Sequence, residues 1–276
     1  FSESYEPTAL TAFDTDGFSI GSSGNVNSSG TTYVAWNWKA GGAAVTIAAN
    51  TVGNTIASDV SANVNAGFSI VKYTGNSTIP STVAHGLDSA PELIMVKVLN
   101  QSYPWNVFSA SIGNTKYLKL NETSAEATQI SRWNNTSPTS AVFTIGNDGD
   151  VNGNGLNYIA YAFHSVAGYS KMGSYVGNGS ATGPIVTLGF EPAWVMIKRT
   201  DAGAAWCIFD SARNTTNSRY NLLQAQDSAA ELDLLNLYGL NGVDFLSTSF
   251  QLKDANTSRN ANGGTYIFMA FATNPT

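Results

Sequence analysis

The chain is poor in charge, histidine and cysteine. Charged residues make up only 12% of its 276 residues, about half the roughly 25% of an average soluble domain, so the surface must be built largely from Ser, Thr, Asn and Gly. A net charge of -6 leaves no basic field to hold phosphates, and we expect no nucleic-acid partner. The single cysteine, Cys207, permits no internal disulfide, so stability must come from packing.

Long apolar runs are also missing. A membrane-spanning helix needs roughly 18 or more consecutive apolar residues, and the sequence has no such run, so we expect no membrane insertion. Neither end has the pattern of a signal peptide, and the chain begins with Phe1 rather than Met. We therefore expect a processed or partial piece of a longer protein.

Internal repetition is the main positive signal in the sequence. Three stretches resemble each other, namely FSIGSSGNVNSSGTTYVAWNW from Phe18, FTIGNDGDVNGNGLNYIAYAF from Phe143 and FQLKDANTSRNANGGTYIFMAF from Phe250. The distance from the Phe to the Tyr is 15 residues in the first two stretches and 16 in the third. We interpret each stretch as the closing part of a module.

A second pattern opens two of these modules. It consists of Tyr-x-Gly-Asn at Tyr73 and Tyr175, followed by a segment from a proline to a lysine that ends at Lys97 and Lys198. The stretch before residue 41 lacks this opening pattern. The sequence therefore predicts four parts: the closing part of an upstream module (1–40), a linker or extended strand (41–66), a β-sandwich module (67–168) and its second copy (169–276).

Short runs of β-branched and aromatic residues indicate the fold class. They are separated by Gly, Asn, Pro and Ser at a spacing of roughly 8 to 12 residues, which is typical of an antiparallel sandwich. The sequence predicts an all-β protein of tandem antiparallel β-sandwich modules, jelly-roll-like, with one or two short helices each. The best helix candidate is Asp227 to Leu237, with a Ser cap and Glu231 three residues later.

At Tyr-x-Gly-Asn, HGLDSAPELIMVK, NNTSPTSAVFTIG, YIAYAFHSVAGYSKMGSYVGNGS and PAWVMIKRTD, the chain resembles an uncharacterised repeat domain of marine bacteriophage structural proteins. The resemblance covers nearly the whole length. It implies a tail-fibre-like or decoration protein at the extracellular surface of the virion, with other virion proteins as partners. It carries no established catalytic residues to transfer, and fold-level analogy alone does not fix function.

Reactive groups are few. A hydrolase needs a nucleophile, a base and an orienting acid that converge, and the chain has two histidines, His85 and His164. The second module has Leu188 and Ala272 at the matching places, so a histidine site would be missing from a near-identical copy. We expect turn or surface roles for both, a buried apolar role for Cys207, and no enzymatic activity.

One string has the pattern of a metal site. Asp148, Asp150 and Asn152 fit the opening of a calcium loop, in which alternate oxygen ligands wrap a hard cation. The twelfth position should be Glu and is Ile159, and the matching loops lack the two acids. These three residues are candidate ligands of a possible Ca2+, with an Asn/Gly hairpin turn as the alternative. We expect no other cofactor.

Aromatic side chains are the best candidates for recognition. Tyr103, Trp133 and Tyr238 fall in or near loops, where flat apolar rings can contact sugars beside Asn and Asp side chains. The matched Trp105 and Trp206 have the positions of core residues instead.

Together these observations predict a non-enzymatic virion structural protein that acts through oligomeric assembly and host-surface contact. We expect a homo-oligomer, possibly a trimer. Residues 1–40 lack opening strands and should pair with a neighbouring domain or subunit by strand addition. The alternative is a carbohydrate-binding adhesin that contacts a host-surface glycan. An enzyme that degrades polysaccharide is least favoured, because no pair of acids recurs in both modules.

Overall fold

The computed structural model describes residues 4–273. These residues form two antiparallel β-sandwiches and one separate hairpin. We number the strands β1 to β21 and the helices α1 to α5 in chain order.

The first sandwich faces a large sheet with a small one. The eight strands of the large sheet follow the spatial order β10 (Ala127–Thr128), β9 (Lys116–Lys119), β8 (Asn106–Ser109), β7 (Leu93–Val98), β12 (Asn157–Phe163), β5 (Phe68–Thr74), β4 (Ser58–Asn63) and β3 (Val45–Ile47). The small sheet consists of β6 (Ser81–Ala84) and β11 (Val142–Ile145). Central strands such as β7 and β12 are rich in β-branched and aromatic residues, which fit a pleated, buried surface.

The segment 41–66 contributes to this sandwich. It contains β3 and β4, and β4 extends the large sheet beyond β5. The amide of Thr55 donates to the carbonyl of Thr82 on β6 at 3.0 Å, so the segment also bonds to the small sheet. It therefore closes the side of the sandwich between β5 and β6.

The second sandwich repeats this plan with fewer strands in its large sheet. The six strands there follow the order β13 (Ser170–Val176), β21 (Thr265–Phe271), β15 (Trp194–Arg199), β16 (Trp206–Asp210), β17 (Asn221–Gln224) and β18 (Leu232–Asp233). The small sheet has the order β14 (Ile185–Thr187), β20 (Ser249–Leu252) and β19 (Val243–Leu246). In the six-stranded sheet β13 is an edge strand, whereas its counterpart β5 in the first sandwich is paired on both sides.

The remaining elements are short. The separate hairpin consists of β1 (Leu10–Phe13) and β2 (Phe18–Ile20). The helices are α1 (Gly24–Asn27), α2 (Ile130–Trp133), α3 (Gly149–Asn152), α4 (Leu234–Tyr238) and α5 (Thr257–Asn260). The prediction of an all-β protein of antiparallel sandwiches with short helices is confirmed. Within residues 4–273, no helix is long and apolar enough to cross a membrane.

The helix predicted over Asp227 to Leu237 is shorter than its pattern indicated. It begins at Leu234, because the side chain of Asp233 caps it by accepting from the amide of Asn236 at 2.9 Å. The residues just before it pair with β17 as strand β18. The predicted Ser cap is therefore wrong. The helix ends at Tyr238 and is capped by Gly239, whose φ of 65° lies in the left-handed region.

The two sandwiches pack large sheet against large sheet. Each has its own core between its sheets, and a third apolar cluster lies between the two large sheets. Along β12, Ala160 and Ala162 face the first core while Phe163 faces the third cluster. Trp206 is fully buried in that cluster, and its indole nitrogen donates to the carbonyl of Lys119 at 2.9 Å. The sandwiches are thus joined by an interior rather than by a flexible link.

Candidate functional site

Each sandwich contains a pair of stacked tyrosines whose hydroxyls bond to a short helix. We call the two tyrosines and this helix the tyrosine clamp. In the first sandwich Tyr73 on β5 stacks on Tyr158 on β12, with ring centroids 5.0 Å apart and an angle of 12° between planes. The hydroxyl of Tyr158 donates to the carbonyl of Gly149 at 2.5 Å and accepts from the amide of Gly153 at 2.6 Å. The hydroxyl of Tyr73 donates to the carbonyl of Val151 at 2.7 Å. Helix α3 is thereby fixed to the sheet.

The second sandwich builds the same clamp around α5. Tyr175 stacks on Tyr266 with centroids 4.9 Å apart and an angle of 10°. The hydroxyl of Tyr266 donates to the carbonyl of Thr257 at 2.8 Å and accepts from the amide of Ala261 at 2.7 Å. The hydroxyl of Tyr175 donates to the carbonyl of Arg259 at 2.6 Å. Tyr73 and Tyr175 therefore have equivalent surroundings.

The Gly and Asn of the Tyr-x-Gly-Asn motif also contact the closing part of the module. A Cβ on Gly75 would lie 2.4 Å from the carbonyl oxygen of Gly153, so only glycine lets the two backbones approach. The amide of Asn76 donates to Oδ1 of Asn152 at 2.8 Å, and the side-chain amide of Asn152 donates to the carbonyl of Gly146 at 2.7 Å. The contacts of Gly75 and Asn76 join the end of the opening strand to the closing part of its module, and the bond from Asn152 to Gly146 orients the asparagine that accepts.

The second sandwich matches these contacts at the same places. A Cβ on Gly177 would lie 2.3 Å from the carbonyl oxygen of Ala261. The amide of Asn178 donates to Oδ1 of Asn260 at 2.9 Å, and Asn260 donates to the carbonyl of Asp254 at 2.8 Å.

A third clamp is half built near the start of the chain. The hydroxyl of Tyr33 donates to the carbonyl of Gly24 at 3.0 Å and accepts from the amide of Ser28 at 3.0 Å, as Tyr158 and Tyr266 do around their helices. Asn27 donates to the carbonyl of Gly21 at 2.8 Å, as Asn152 and Asn260 do. The closing part of a module is therefore present, with its helix α1. We call residues 8–40 the half-module.

The half-module leaves its inner face exposed. Tyr33 is 49% exposed, whereas Tyr158 and Tyr266 are buried completely. Phe18 and Ile20 on β2 are about two fifths exposed, although the matching residues on β11 and β20 belong to the two cores. Residues 31–40 occupy the place of β12 and β21 yet have no strand partner within residues 4–273. In the two sandwiches this place is the centre of a sheet.

The outer face of the half-module is covered by the second sandwich. Trp38 packs edge-on against Trp194 and Phe271, with centroids 5.4 Å away in each case. The indole nitrogen of Trp36 donates to Oδ2 of Asp210 at 3.3 Å. Residues 31–40 therefore have one face packed on the second sandwich and the other face exposed.

Burial changes the pKa values of the clamp tyrosines. It raises the pKa of Tyr73 well above the usual value and that of Tyr158 to about 12. In the half-module the pKa of Tyr33 is lowered, because its hydroxyl accepts from the Ser28 amide. The clamps of the two sandwiches thus keep their phenols as neutral hydrogen-bond donors.

The predicted calcium ligands surround an arginine. Arg132 on α2 contacts Oδ1 of Asp148 at 2.8 Å and Oδ2 of Asp150 at 2.5 Å. Asn152 is buried and uses its side chain in the clamp. A guanidinium between two carboxylates occupies the charge that a cation would need. Nothing in the sequence string indicated Arg132, because it lies on a different element. Within the described residues no group of three or more His, Cys, Asp or Glu side chains could hold a metal.

The reactive side chains serve local structure. His85 is buried; its Nδ1 accepts from the amide of Leu87 at 3.2 Å, its Nε2 lies 3.1 Å from the carbonyl of Thr139, and burial lowers its pKa. His164 lies 3.4 Å from Asp88 at the close of β12. Cys207 is buried, which raises the pKa of its thiol. Cys207 therefore lies in a core, as the sequence predicted, whereas both histidines are buried rather than at the surface, because they pack just after strands β6 and β12.

The lysines that end the two matched segments, Lys97 and Lys198, are both buried. Lys198 is fully buried, and its Nζ donates to the carbonyls of Ala204 at 2.8 Å and Thr123 at 3.1 Å. Burial lowers its pKa to about 8. Lys97 donates to the carbonyl of Tyr103 at 2.9 Å. Each lysine therefore holds the loop that follows its strand.

The aromatic contact candidates divide into two kinds. Trp133 is 2% exposed and packs on Phe108 in the first core, with centroids 5.8 Å apart, so it presents no surface to a ligand. The prediction that Trp133 lies at a binding surface was wrong, because helix α2 directs its ring into the first core. Tyr103 and Tyr238 are exposed, at 40% and 63%. They lie in different sandwiches, and Tyr238 borders a cavity of about 260 Å3 that reaches Arg259.

These features define a modular all-β protein, with two complete sandwiches that each contain a tyrosine clamp and a half-module with an open one. The family model described as Domain of unknown function (DUF7483) matches residues 2–275, and the chain belongs to that family. No curated protein and no solved structure matches the chain.

Proposed function

We propose that the chain is a non-enzymatic structural component of a bacteriophage particle, tail-fibre-like or a decoration protein, at the outer surface of the virion. It acts by joining neighbouring domains or subunits and by contact with the host surface. The observation that carries the proposal is the half-module, which has a finished outer face and an open inner one. In the two sandwiches an opening strand covers this inner face, so a module that exposes it is suited to accept a strand from a neighbour.

Two further observations support a structural role. The reactive groups that sequence analysis singled out are buried in cores or turns, as His85 and Cys207 show. The charge-poor surface, with 12% charged residues, suits a protein exposed outside a cell more than one that steers charged substrates.

The virion role is tested on purified particles. Phage particles from a host culture that carries this gene are purified by density gradient and probed with an antibody to residues 67–273. We expect labelling along fibres or on the capsid exterior by electron microscopy. Recovery of the protein only in the particle-free fraction would refute the role. Mass photometry of the chain tests the homo-oligomer, possibly a trimer, and a monomer at all concentrations would exclude it.

A carbohydrate-binding adhesin is the second candidate. The exposed ring of Tyr238 beside a cavity favours it, because aromatic faces stack on sugars. A glycan array with Tyr238→Ala and, as a matched control, Tyr5→Ala separates the two functions. Binding lost only in Tyr238→Ala would support the adhesin, and absence of any glycan binding would exclude it.

A further inference from the structure

Within residues 4–273 the inner face of the half-module is exposed, whereas the matching faces of the two sandwiches are buried. The two sandwiches stack Tyr73 on Tyr158 and Tyr175 on Tyr266, whereas Tyr33 is half exposed. The alternation along residues 31–40 repeats that of β12: Tyr33, Ala35 and Asn37 are exposed, while the residues between them are half-buried. On β12 the residues matching this exposed set are buried in the first core.

We propose that the half-module binds an extended polypeptide strand that carries Tyr-x-Gly-Asn, supplied by a further module of the same kind. This inference rests on the same half-module as the proposed function and names the segment that the half-module binds. Its test uses the purified chain, so its failure is distinguishable from failure to find the protein in phage particles. The Tyr of the strand would stack on Tyr33, as Tyr73 does on Tyr158. The strand would run antiparallel to residues 31–40, in the register that β5 and β13 keep with β12 and β21.

Each residue of the motif has a receptor in the half-module. The backbone beside Ser28 corresponds to Gly153 and Ala261, which the motif glycine approaches too closely for any Cβ. Asn27 has the orientation of Asn152 and Asn260, since all three donate to the carbonyl six residues earlier. In the two sandwiches the Oδ1 of that asparagine accepts the amide of the motif Asn. The same acceptor is exposed on Asn27.

The strands of this chain's own sandwiches are not the source. β5 is paired on both edges, with β12 and β4. β13 is paired with β21, and its Tyr175 already stacks on Tyr266. A second copy could supply either strand only by opening a core. The occupant is therefore the opening strand of another module, and exchange between copies of this chain is the competing outcome.

Apolar residues of the half-module are exposed where the matching residues of the two sandwiches are buried in a core. Phe18 and Ile20 lie on the same inner face as Tyr33, and Leu10 on β1 is 46% exposed. In the second sandwich the residue matching Leu10 is Val243, which is buried. Strand addition would bring apolar residues of the donor over this face, which supplies hydrophobic stabilisation in addition to main-chain hydrogen bonds.

The test uses the whole chain and the nonapeptide SKMGSYVGN, which is the sequence of residues 170–178. Binding is measured by calorimetry, and a second sample carries the peptide fused before residue 1 through a flexible linker, which raises its effective concentration to the millimolar range. We expect binding in trans and, in the fusion, protection of the Ser28 amide and of residues 32–39 from hydrogen exchange. The protection reports strand pairing even where affinity in trans is low.

Variants of the peptide and of the chain test which residues the binding requires. The peptide changes Tyr175→Ala and Gly177→Val, and the receptor change Tyr33→Ala, should each weaken binding by about tenfold or more. The receptor change Tyr5→Ala removes an exposed tyrosine outside the half-module and should leave binding unchanged. Failure of both the peptide and the fusion to protect residues 32–39 would overturn the proposal. Equal binding by the Gly177→Val peptide would do so as well, and so would stable dimers whose β13 has left its own sandwich.

Discussion

Trp38 and Phe271 occupy the same position in two copies of the closing segment, five residues after the clamp tyrosine, and their ring centroids lie 5.4 Å apart. Phe163, at the same position in the remaining copy, lies 6.0 Å from Phe271. The three closing segments therefore converge on one aromatic cluster. The half-module is held in the place of a third module, so completion of its inner face would add a sandwich to a preformed arrangement.

Removing the ring of Trp38 should release the half-module while the sandwiches stay folded. Trp38 contacts Trp194 and Phe271, and a buried aromatic truncated to Ala costs roughly 3–5 kcal/mol, with less for a half-buried one. We expect Trp38→Ala to speed tryptic cleavage after Lys39 by about tenfold or more, because local opening controls the rate. Tyr5→Ala is the control. Unchanged cleavage would show that the cluster does not hold residues 31–40.

The clamp hydroxyls should contribute to stability where they are buried. Tyr73→Phe leaves the carbonyl of Val151 without its donor, which costs about 1–3 kcal/mol. Tyr33→Phe removes an exposed hydroxyl and should change the free energy of unfolding by less than about 0.5 kcal/mol. Urea unfolding followed by fluorescence measures both. Equal effects at the two positions would contradict the burial that distinguishes a closed clamp from an open one.

The motif glycine should not tolerate a methyl group. In Gly177→Ala the new Cβ would meet the Ala261 carbonyl oxygen at 2.3 Å, so either β13 or the end of α5 must move. We expect a loss of roughly 2 kcal/mol or more in the free energy of unfolding. Gly17→Ala is the matched control, because nothing lies within 4 Å of its Cβ position. A neutral Gly177→Ala would mean that the close approach is not maintained in solution.

Lys198 should give the protein a pH dependence of known sign. Its pKa is about 8 in the folded chain against 10.5 as the ordinary value, so between these pH values the unfolded chain binds more protons and the free energy of unfolding from this group rises with pH. Relative to Lys198→Met, the wild type should gain about 2 kcal/mol between pH 7 and about pH 9.5. Measurement below pH 10 avoids ionisation of tyrosines in the unfolded chain.

A constant difference between wild type and Lys198→Met across this range would show that the ammonium stays solvated. Lys97→Met is a useful comparison, because Lys97 is less buried and its pKa is lowered by the same cause. Its difference from the wild type should change with pH in the same direction but by less.

Calcium should not stabilise the loop around Asp148. Arg132 already contacts this carboxylate and that of Asp150, so a cation would have to displace a guanidinium. We expect millimolar calcium to leave the melting temperature of the wild type unchanged. A rise that chelator reverses and Asp150→Asn abolishes would instead establish the calcium site that the sequence string predicts.

The fold class was predictable because strand and turn chemistry are local. Runs such as LIMVKV at β7 carry their β preference in the residues themselves, and the clamp tyrosines recur at a fixed spacing that sequence comparison detects. Positions set by tertiary contacts were not predictable in the same way. Trp133 lies next to a loop in the sequence, yet the direction of the four-residue helix α2 turns it into the core.

Charge partners show the same limit. Arg132 reaches Asp148 and Asp150 across 16 and 18 positions of the sequence, so no string pattern links them. Lys198 ends a strand in the sequence, but the loop at Thr123 of the other sandwich covers it. In both cases the determining contact comes from packing between elements, which hydrophobic periodicity does not describe.

The central claim is that the same clamp occurs three times in the chain and that one of the three is open. Hydrogen exchange measured residue by residue at the amides of Gly153, Ala261 and Ser28 tests this claim most directly. Gly153 and Ala261 donate to a buried tyrosine hydroxyl, and Ser28 donates to an exposed one. We expect slow exchange at Gly153 and Ala261 alike, and exchange at Ser28 faster by about 100-fold or more. Ser28 as slow as the other two in the monomeric chain, or widely different rates at Gly153 and Ala261, would contradict a repeated module with one open copy.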